Sequence, residues 1–292
     1  MQEILLASLE QGLIFSLLAV GVMITFRLLD IADLSVEGTF PLGAFVLAWG
    51  FASNLNPFLG LVLAFVAGSL AGLFTYFLYK KLAIPAILAG ILTMTILYTV
   101  NLKINGTSNV PLATETTLFD LSQALPDVLI LGVIVLVMKL ALDWFLQTEQ
   151  GYLLKVTGDN DSLVRSLGQN PNRYLALGLL LSNGLAALSG ALMAQYQGFV
   201  DITMGQSMIV TALASIVIGE AIFRYNKSLK ITSRGILGAL IYRIIYGLAI
   251  HFGLNPDDLK AITALIVIAF IAYNNLSASQ KRRQQIRKAK EQ

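Results

Sequence analysis

Residues 57–79 read PFLGLVLAFVAGSLAGLFTYFLY, and none of these 23 side chains carries a charge. Wound as an α-helix at 1.5 Å per residue, the stretch is roughly 34 Å long, enough to cross the ~30 Å hydrocarbon core of a bilayer. A strand of a transmembrane barrel would alternate polar with apolar residues over about ten positions, and this stretch does not.

The pattern recurs along the chain. Its 292 residues are 56% hydrophobic and only 13% charged, with mean hydropathy +0.74. A soluble domain carries about 25% charged residues. The composition therefore defines an all-α polytopic membrane protein. Nine candidate spans fall at about 4–26, 39–55, 57–79, 84–102, 127–146, 174–197, 207–223, 235–250 and 259–275. Residues 1–275 make up the transmembrane domain, with a long connection at 147–173, and 276–292 form a basic tail, KRRQQIRKAK at its core. The tail reads as an anchor for anionic lipid rather than a nucleic-acid arm.

Lys and Arg set the orientation. One set of alternate connections holds Arg27, Lys80, Lys81, Lys155, Arg165, Arg173, Arg224, Lys227, Lys230 and Arg234, whereas the other holds only Lys103 and Lys260. Acidic residues collect on the second side. This predicts an outside N-terminus, a cytoplasmic C-terminus and nine crossings. Tyr98, Trp144, Tyr152, Tyr174 and Tyr196 fall near span ends, where an aromatic belt belongs. The N-terminus lacks a basic region, so it reads as a retained first span rather than a signal peptide.

Several chemistries are excluded by inspection. There is no cysteine and a single histidine, His251, and there is no Gly-rich phosphate loop, HExxH or GxSxG. An intramembrane enzyme would need a buried nucleophile–base pair or clustered metal ligands, and neither is evident.

Three places carry candidate functional residues. In the connection QTEQGYLLKVTGDNDSLVRSLGQNPNRY, Asp161 is placed to cap a helix from Ser162 to Leu167, and Gly168 to end it. Leu163, Val164 and Leu167 share one face of that helix, with Arg165 on the other. Two turns are too few to persist in water unaided, so the apolar face rests on this chain or on a partner. The stretch DIADLSVEGTFP, 30–41, sets Asp30, Asp33 and Glu37 between apolar spans. Asp33 and Ser35 are expected to cap the incoming helix, Pro41 to sit in its first turn, and Asp33 and Glu37 to share a face. The stretch is either a capped turn or a broken helix lining a gate. Because the second span is short, the turn is expected to be drawn partly into the membrane. Asn183, within the sixth span, either bonds across the bundle or faces a pathway. Lys139 and Asp143 are expected to pair at i, i+4. Arg243 lies deep in the eighth span and is expected to pair with Glu220, which has Arg224 as its other option.

Four segments in order carry a resemblance. They are GLIFSLLAVGVMITFRLLDIADLSVEGTFPLGAF, the NGTSNV stretch, GYLLKVTGDNDSLVRSLGQN, and MGQSMIVTALASIVIGEAIFR followed by RGILGALIYRIIYGL. With them the chain resembles the permease subunits of ABC importers in the ribose and branched-chain amino acid family. Within it, the chain is similar to a bacterial subgroup paired with a binding lipoprotein and associated with aromatic amino acids. The resemblance implies a type-II-like permease in the bacterial cytoplasmic membrane. It implies a helix from Asp161 to Leu167 that couples to a cytoplasmic ATPase, with Gly158, Asp159 and Asn160 as the turn before it. It implies two copies of the ATPase, a second copy of the permease and an extracellular binding lipoprotein. ATP and Mg would bind the ATPase, and no cofactor this chain. Asp33, Ser35, Glu37, Asn183 and Glu220 become candidates for the pathway or its gate. Two departures weigh against a sugar: Glu220-Ala221 stands where ribose-type relatives carry a glycine and a small residue, and their extra first span is missing. The alternative is a secondary transporter coupled to an ion gradient, which would show inverted repeats and intramembrane acids.

Overall fold

The computed structural model describes residues 2–112, 115–121, 125–223, 226, 228–254, 261, 263–265 and 268. Within them the apolar blocks are helices: α1 (Gln2–Met23), α2 (Val36–Ala52), α3 (Pro57–Tyr76) and α4 (Ala86–Asn105). A short strand β1 (Asn109–Pro111) and a one-turn helix α5 (Leu118–Leu121) lead to α6 (Asp127–Phe145), α7 (Glu149–Asp159) and α8 (Asp161–Ser166). Helix α9 (Pro171–Gln197), strand β2 (Phe199–Asp201), α10 (Met208–Phe223) and α11 (Ile231–His251) follow. Six described helices are long and apolar enough to cross a membrane, and α2 and α10 are shorter apolar helices. Each of the first eight expected spans thus has a helix. The ninth, 259–275, falls mostly outside the described residues, and the tail does so entirely.

Helix α9 is the axis of the bundle, and residues 182–192 are all buried against α1, α2 and α3. Small residues let the backbones touch. A Cβ on Gly43 would lie 1.9 Å from the Ala187 carbonyl oxygen, one on Gly190 1.8 Å from that of Phe40, and one on Gly72 2.2 Å from that of Leu179. Lipid tails are as apolar as leucine, so close contact of this kind, rather than apolar burial, holds helices together in a bilayer. The outer faces of α3, α4 and α6 expose Phe58, Leu70, Ile87, Val133, Val137 and Leu140. Such a surface belongs against hydrocarbon.

Two helix ends share one design. Helix α1 closes in a π-helical turn, Ile24–Leu28, after which Asp30 takes the left-handed conformation (φ 54) and the Ile31 N–H donates to the Thr25 carbonyl, 2.9 Å. Helix α3 closes in the π turn Phe77–Lys81, with Ala83 at φ 54 and the Ile84 N–H on the Leu78 carbonyl, 3.2 Å. Basic residues, Arg27 in one and Lys80 and Lys81 in the other, decorate both.

Helices α2 and α10 both begin inside the bundle. The turn ahead of α2 buries Ile31, Asp33 and Ser35, and it reaches Asn183, twelve residues past Pro171 at the start of α9, roughly 18 Å along that helix. At the opposite end β1 and β2 pair antiparallel, with Val110 facing Val200. The chain then dives back, so that a Cβ on Gly205 would lie 2.0 Å from the Glu37 carbonyl oxygen and 2.7 Å from Pro41 Cδ. Ser207, at φ 62, redirects it into α10. Pro41 is thus inside α2 rather than in its first turn. Lacking an N–H, it cannot cap the Glu37 carbonyl through the helix ladder, and Gly205 occupies the space beside that carbonyl.

Among the expected aromatic residues of a belt, Tyr98, Trp144 and Tyr152 are exposed. Tyr174 instead is buried, and the Tyr196 hydroxyl donates to Glu10 Oε2, 3.0 Å.

Candidate functional site

Two regions stand out: the paired helices α7 and α8 at one end of the bundle, and the interior junction where α2 and α10 begin.

Helix α7 occupies sequence that reads as loop. Thr148 caps it by accepting from the Gly151 N–H, 3.3 Å, and Lys155 Nζ donates to the Leu146 carbonyl, 2.8 Å. Leu153, Leu154 and Thr157 are buried. Gly158 and Asp159 are its last turn, so they do not form the turn expected ahead of the next helix. Gly158 is needed for proximity: a Cβ there would sit 1.9 Å from the Leu28 carbonyl oxygen. Helix α8 then starts at Asp161 and is capped by Asn160, whose Oδ1 accepts from the Leu163 N–H, 3.2 Å. Asp161 is not the cap; its carboxylate pairs with Arg165, 3.1 Å, in an exposed i, i+4 bridge. Gly168 at φ 75 ends the helix as expected. The expected common face divides. Val164 is fully buried and anchors α8, whereas Leu163 is 46% and Leu167 57% exposed. Two large apolar side chains are thus held out on an anchored helix.

At the interior junction, Asp33, Ser35, Thr39 and Asn183 form one buried cluster. Asp33 Oδ1 accepts from the Ser35 N–H, 2.9 Å, and lies 2.5 Å from the Ser35 hydroxyl. That hydroxyl is also 3.0 Å from Asn183 Oδ1, and its single proton serves one acceptor at a time. Asn183 Oδ1 also accepts from the Thr39 hydroxyl, 2.7 Å. The Asn183 amide donates to Asp33 Oδ2, 2.8 Å, and to the Leu179 carbonyl, 3.1 Å. Asn183 therefore bonds across the bundle and, like Asp33 and Ser35, is shielded within the chain. Ser35 makes no side-chain cap on α2.

Glu37 does not share Asp33's surroundings. Its carboxyl group lies where α10 begins, next to the backbone of Ser207 and Ile209. It lines a cavity of about 340 Å³ with Met94, Tyr98, Gln206 and Asn101, whose Oδ1 has no hydrogen-bond partner. Removing Asp33 and removing Glu37 should therefore differ. Asp33→Ala leaves donors of Ser35 and Asn183 unanswered and is expected to cost about 1–3 kcal/mol of stability, read as a lowered Tm in detergent. Glu37→Ala is expected to leave Tm near the parent value and to lower solute uptake instead.

The remaining charges rearrange two expectations. Glu220 pairs with Arg27, 2.8 Å, tying α10 to the end of α1; Arg224 lies outside the described residues. Arg243 is not paired with Glu220. Its guanidinium lies 3.8 Å from the Phe15 ring centroid and 4.9 Å from that of Tyr246, and its Nε has no hydrogen-bond partner. A desolvated cation–π contact is worth about 2 kcal/mol, so the two together are of the same order as the ~2.5–3.5 kcal/mol that insertion of a central arginine costs. Lys139 and Asp143 pair as expected, 2.7 Å, and Lys230 adds a second bridge to Asp143, 3.4 Å. Where the chain turns after β2, the hydroxyl of Thr203 and then its N–H hold the Asp201 carboxyl below its usual range. Among the described residues no cluster of three or more His, Asp or Glu could hold a metal ion.

A bundle with lipid-facing outer helices, two short helices starting in its interior and an anchored helix pair at one end is the architecture of a multi-pass transport protein. The family described as "Branched-chain amino acid transport system / permease component" matches residues 4–272, and the chain belongs to it. It is a permease component of an ABC transport system, in the cytoplasmic membrane. It is 41% identical to the "Tyrosine transport system permease protein" of Clostridioides difficile (strain R20291), over 95% of this chain and 94% of that one. It is 36% identical to "Uncharacterized protein RP368" of Rickettsia prowazekii (strain Madrid E), over 91% and 95%. A permease of Enterobacter sp. (strain 638), "Autoinducer 2 import system permease protein LsrC", is 30% identical over 71% of this chain and 62% of its own. Among solved structures, "PsaBC from Streptococcus pneumoniae in complex with Fab" aligns with a TM-score of 0.42 and 17% identity over 84% of this chain and 89% of that one.

Sequence reasoning missed α7 and the interior start of α10. The signal for α7 was present, since Thr148 followed by Glu149 and by Leu153 and Leu154 is a capped amphipathic start. The start of α10 falls where the span at 207–223 places it, but nothing comparable marks its depth in the bundle.

Proposed function

We propose that the chain forms half of the translocation unit of an ATP-driven importer of an aromatic or otherwise hydrophobic amino acid. Two copies would work with two copies of a separate cytoplasmic ATPase, which holds ATP and Mg, and with an extracellular binding lipoprotein. In this reading the chain crosses the bilayer nine times, with its N-terminus outside and α7 and α8 in the cytoplasm. No cofactor and no nucleic acid bind to it.

The observation that supports the reading best is α8 itself. Leu163 and Leu167 are exposed on a helix that the buried Val164 anchors to the bundle and Asn160 caps. An apolar ridge on a rigid base is suited to a groove on a partner, and the full sequence has no phosphate loop with which to use ATP alone. Closure of the ATPases would push the two α8 helices together and rock the permease halves between two states that nucleotide biases. The solute assignment draws on the relative named for tyrosine transport and on the cavity at Glu37, where Met94, Tyr98 and Ile202 sit beside Thr95 and Gln206.

The test is uptake of radiolabelled tyrosine by proteoliposomes. Uptake is expected only with the ATPase, the binding lipoprotein and ATP together. Uptake driven by a proton or sodium gradient, without the ATPase, would instead identify a secondary transporter.

A further inference from the structure

Arg243 is a buried cation with no acidic partner among the described residues. It is 9% exposed, and its Nε is unbonded. The nearby acids are otherwise engaged: Glu10 by Tyr196, Glu220 by Arg27, and Asp143 by Lys139 and Lys230. Asp33 lies in the Asn183 cluster, and Glu37 lines a separate cavity, beside Gly205 and Gln206. What does touch the guanidinium is aromatic. The Phe15 ring centroid lies 3.8 Å from the guanidinium carbon. Nε is buried without a hydrogen-bond partner, so at least one of the five N–H donors is left to meet another molecule.

Two cavities meet at this side chain. One, of about 200 Å³, lies between the start of α10, α11 and the residues Thr263 and Ala264, and is lined by Ser207, Thr211 and Tyr242 as well. The other, of about 170 Å³, lies between α1 and α11 and is lined by Ser8 and Gln11. Each is smaller than the ~300–1,000 Å³ of a pocket that encloses a whole ligand, so each has room for a polar head group rather than an entire solute. Gln206 lines the first of them and also the cavity of Glu37. The interior start of α10 thus has a carboxylate on one side and an unpaired arginine on the other.

We propose that Arg243 is a binding residue of the pathway and receives the carboxylate group of the passing solute. Guanidinium and carboxylate match as planar, doubly hydrogen-bonded partners, which a lysine at the same place would not reproduce. An ionisable residue deep in a membrane bundle, facing a cavity and lacking an internal partner, is where such a function is expected. The other anion available to a membrane protein is a lipid phosphate. Arg243 is level with Phe15, mid-way along α1, and with the interior start of α10, although the cavity between α1 and α11 runs on to Ile4 and Ile250 near the ends of those helices, so the phosphatidylglycerol arm of the test separates the two sources. The proposal rests on reading the solute as an amino acid.

The test is protection of Arg243 from phenylglyoxal in the purified permease–ATPase complex, read by peptide mass spectrometry. L-Tyrosine and 3-(4-hydroxyphenyl)propionate, which carry the carboxylate, are expected to slow modification at least five-fold. Tyramine, which lacks it, is expected to have no effect. Arg243→Gln is expected to lower ATP-driven uptake at least ten-fold, with partial recovery in Arg243→Lys. Because Arg243→Gln also removes a stacking contact between α1 and α11, protection on the unaltered chain decides. Equal protection by tyramine, no protection by any of the three, or protection by phosphatidylglycerol alone overturns the assignment. If protection follows the carboxylate while the unaltered complex imports no aromatic amino acid, Arg243 stands and the choice of solute fails.

Discussion

Gly190→Ala is expected to leave little folded protein. The added carbon would lie 1.8 Å from the carbonyl oxygen of Phe40, a backbone atom that no rotamer change can move. Relief requires α2 and α9 to separate by more than an ångström. That movement also stretches the Thr39 and Ser35 contacts to Asn183 along the same crossing. Overpacking of this kind costs about 3 kcal/mol at the upper end of its usual range, and in a bilayer no hydrophobic drive recloses the helices. Gly43→Ala, which meets the Ala187 carbonyl at 1.9 Å on the same crossing, is expected to behave alike. Gly132→Ala on α6 is the control, since its Cβ meets nothing within 4 Å; it is expected to be neutral or slightly stabilising through helix propensity. The measurements are the monodisperse fraction in size-exclusion chromatography and the apparent Tm. A well-folded Gly190→Ala protein would mean that the α2–α9 crossing is looser than described.

The Leu163→Asp, Leu167→Asp double variant is expected to fold normally and to lose its ATPase. Both side chains are about half exposed and contribute little to the bundle, so their removal leaves α8 anchored by Val164 and capped by Asn160. At a partner's groove each leucine would bury about 1.5–3 kcal/mol of apolar surface. Losing both corresponds to a roughly 10²–10⁴-fold weaker complex, before any cost of burying aspartate. Co-purification with the ATPase and ATP-driven uptake are expected to fall together, with Tm unchanged. Arg165→Ala removes only an exposed pair worth about 0–1 kcal/mol and is expected to retain both activities. If the double variant still holds its ATPase, α8 is not the contact.

The helices were legible because six apolar blocks are long enough to cross a bilayer and the shorter α2 and α10 are as apolar, so hydropathy alone separates them. The misread parts depend on who meets whom in three dimensions. Gly158 looks like a turn residue, but it is helical and needed for the approach of α7 to Leu28. Asn160 and Asp161 are adjacent and both suited to capping; only the path of the chain out of α7 decides for Asn160. Glu220 had two basic options in the sequence, yet its partner is Arg27, 193 positions away. Asp33 and Glu37, four residues apart, are separated because the first falls in the buried turn and the second in α2, turned towards α10. The dive of the chain at Gly205 has no periodicity to announce it.

The approach of Gly158 to the end of α1 bears on how a load travels through the molecule. Helix α7 meets the π turn of α1 backbone to backbone, with no layer of side chains between them to compress. Beyond that turn lie Asp30 in its left-handed bend and then the Asp33 hydrogen bonds to Asn183 in α9. A single chain of contacts thus joins α7 to the axis of the bundle, and a single methyl group at position 158 would throw that linkage out of alignment.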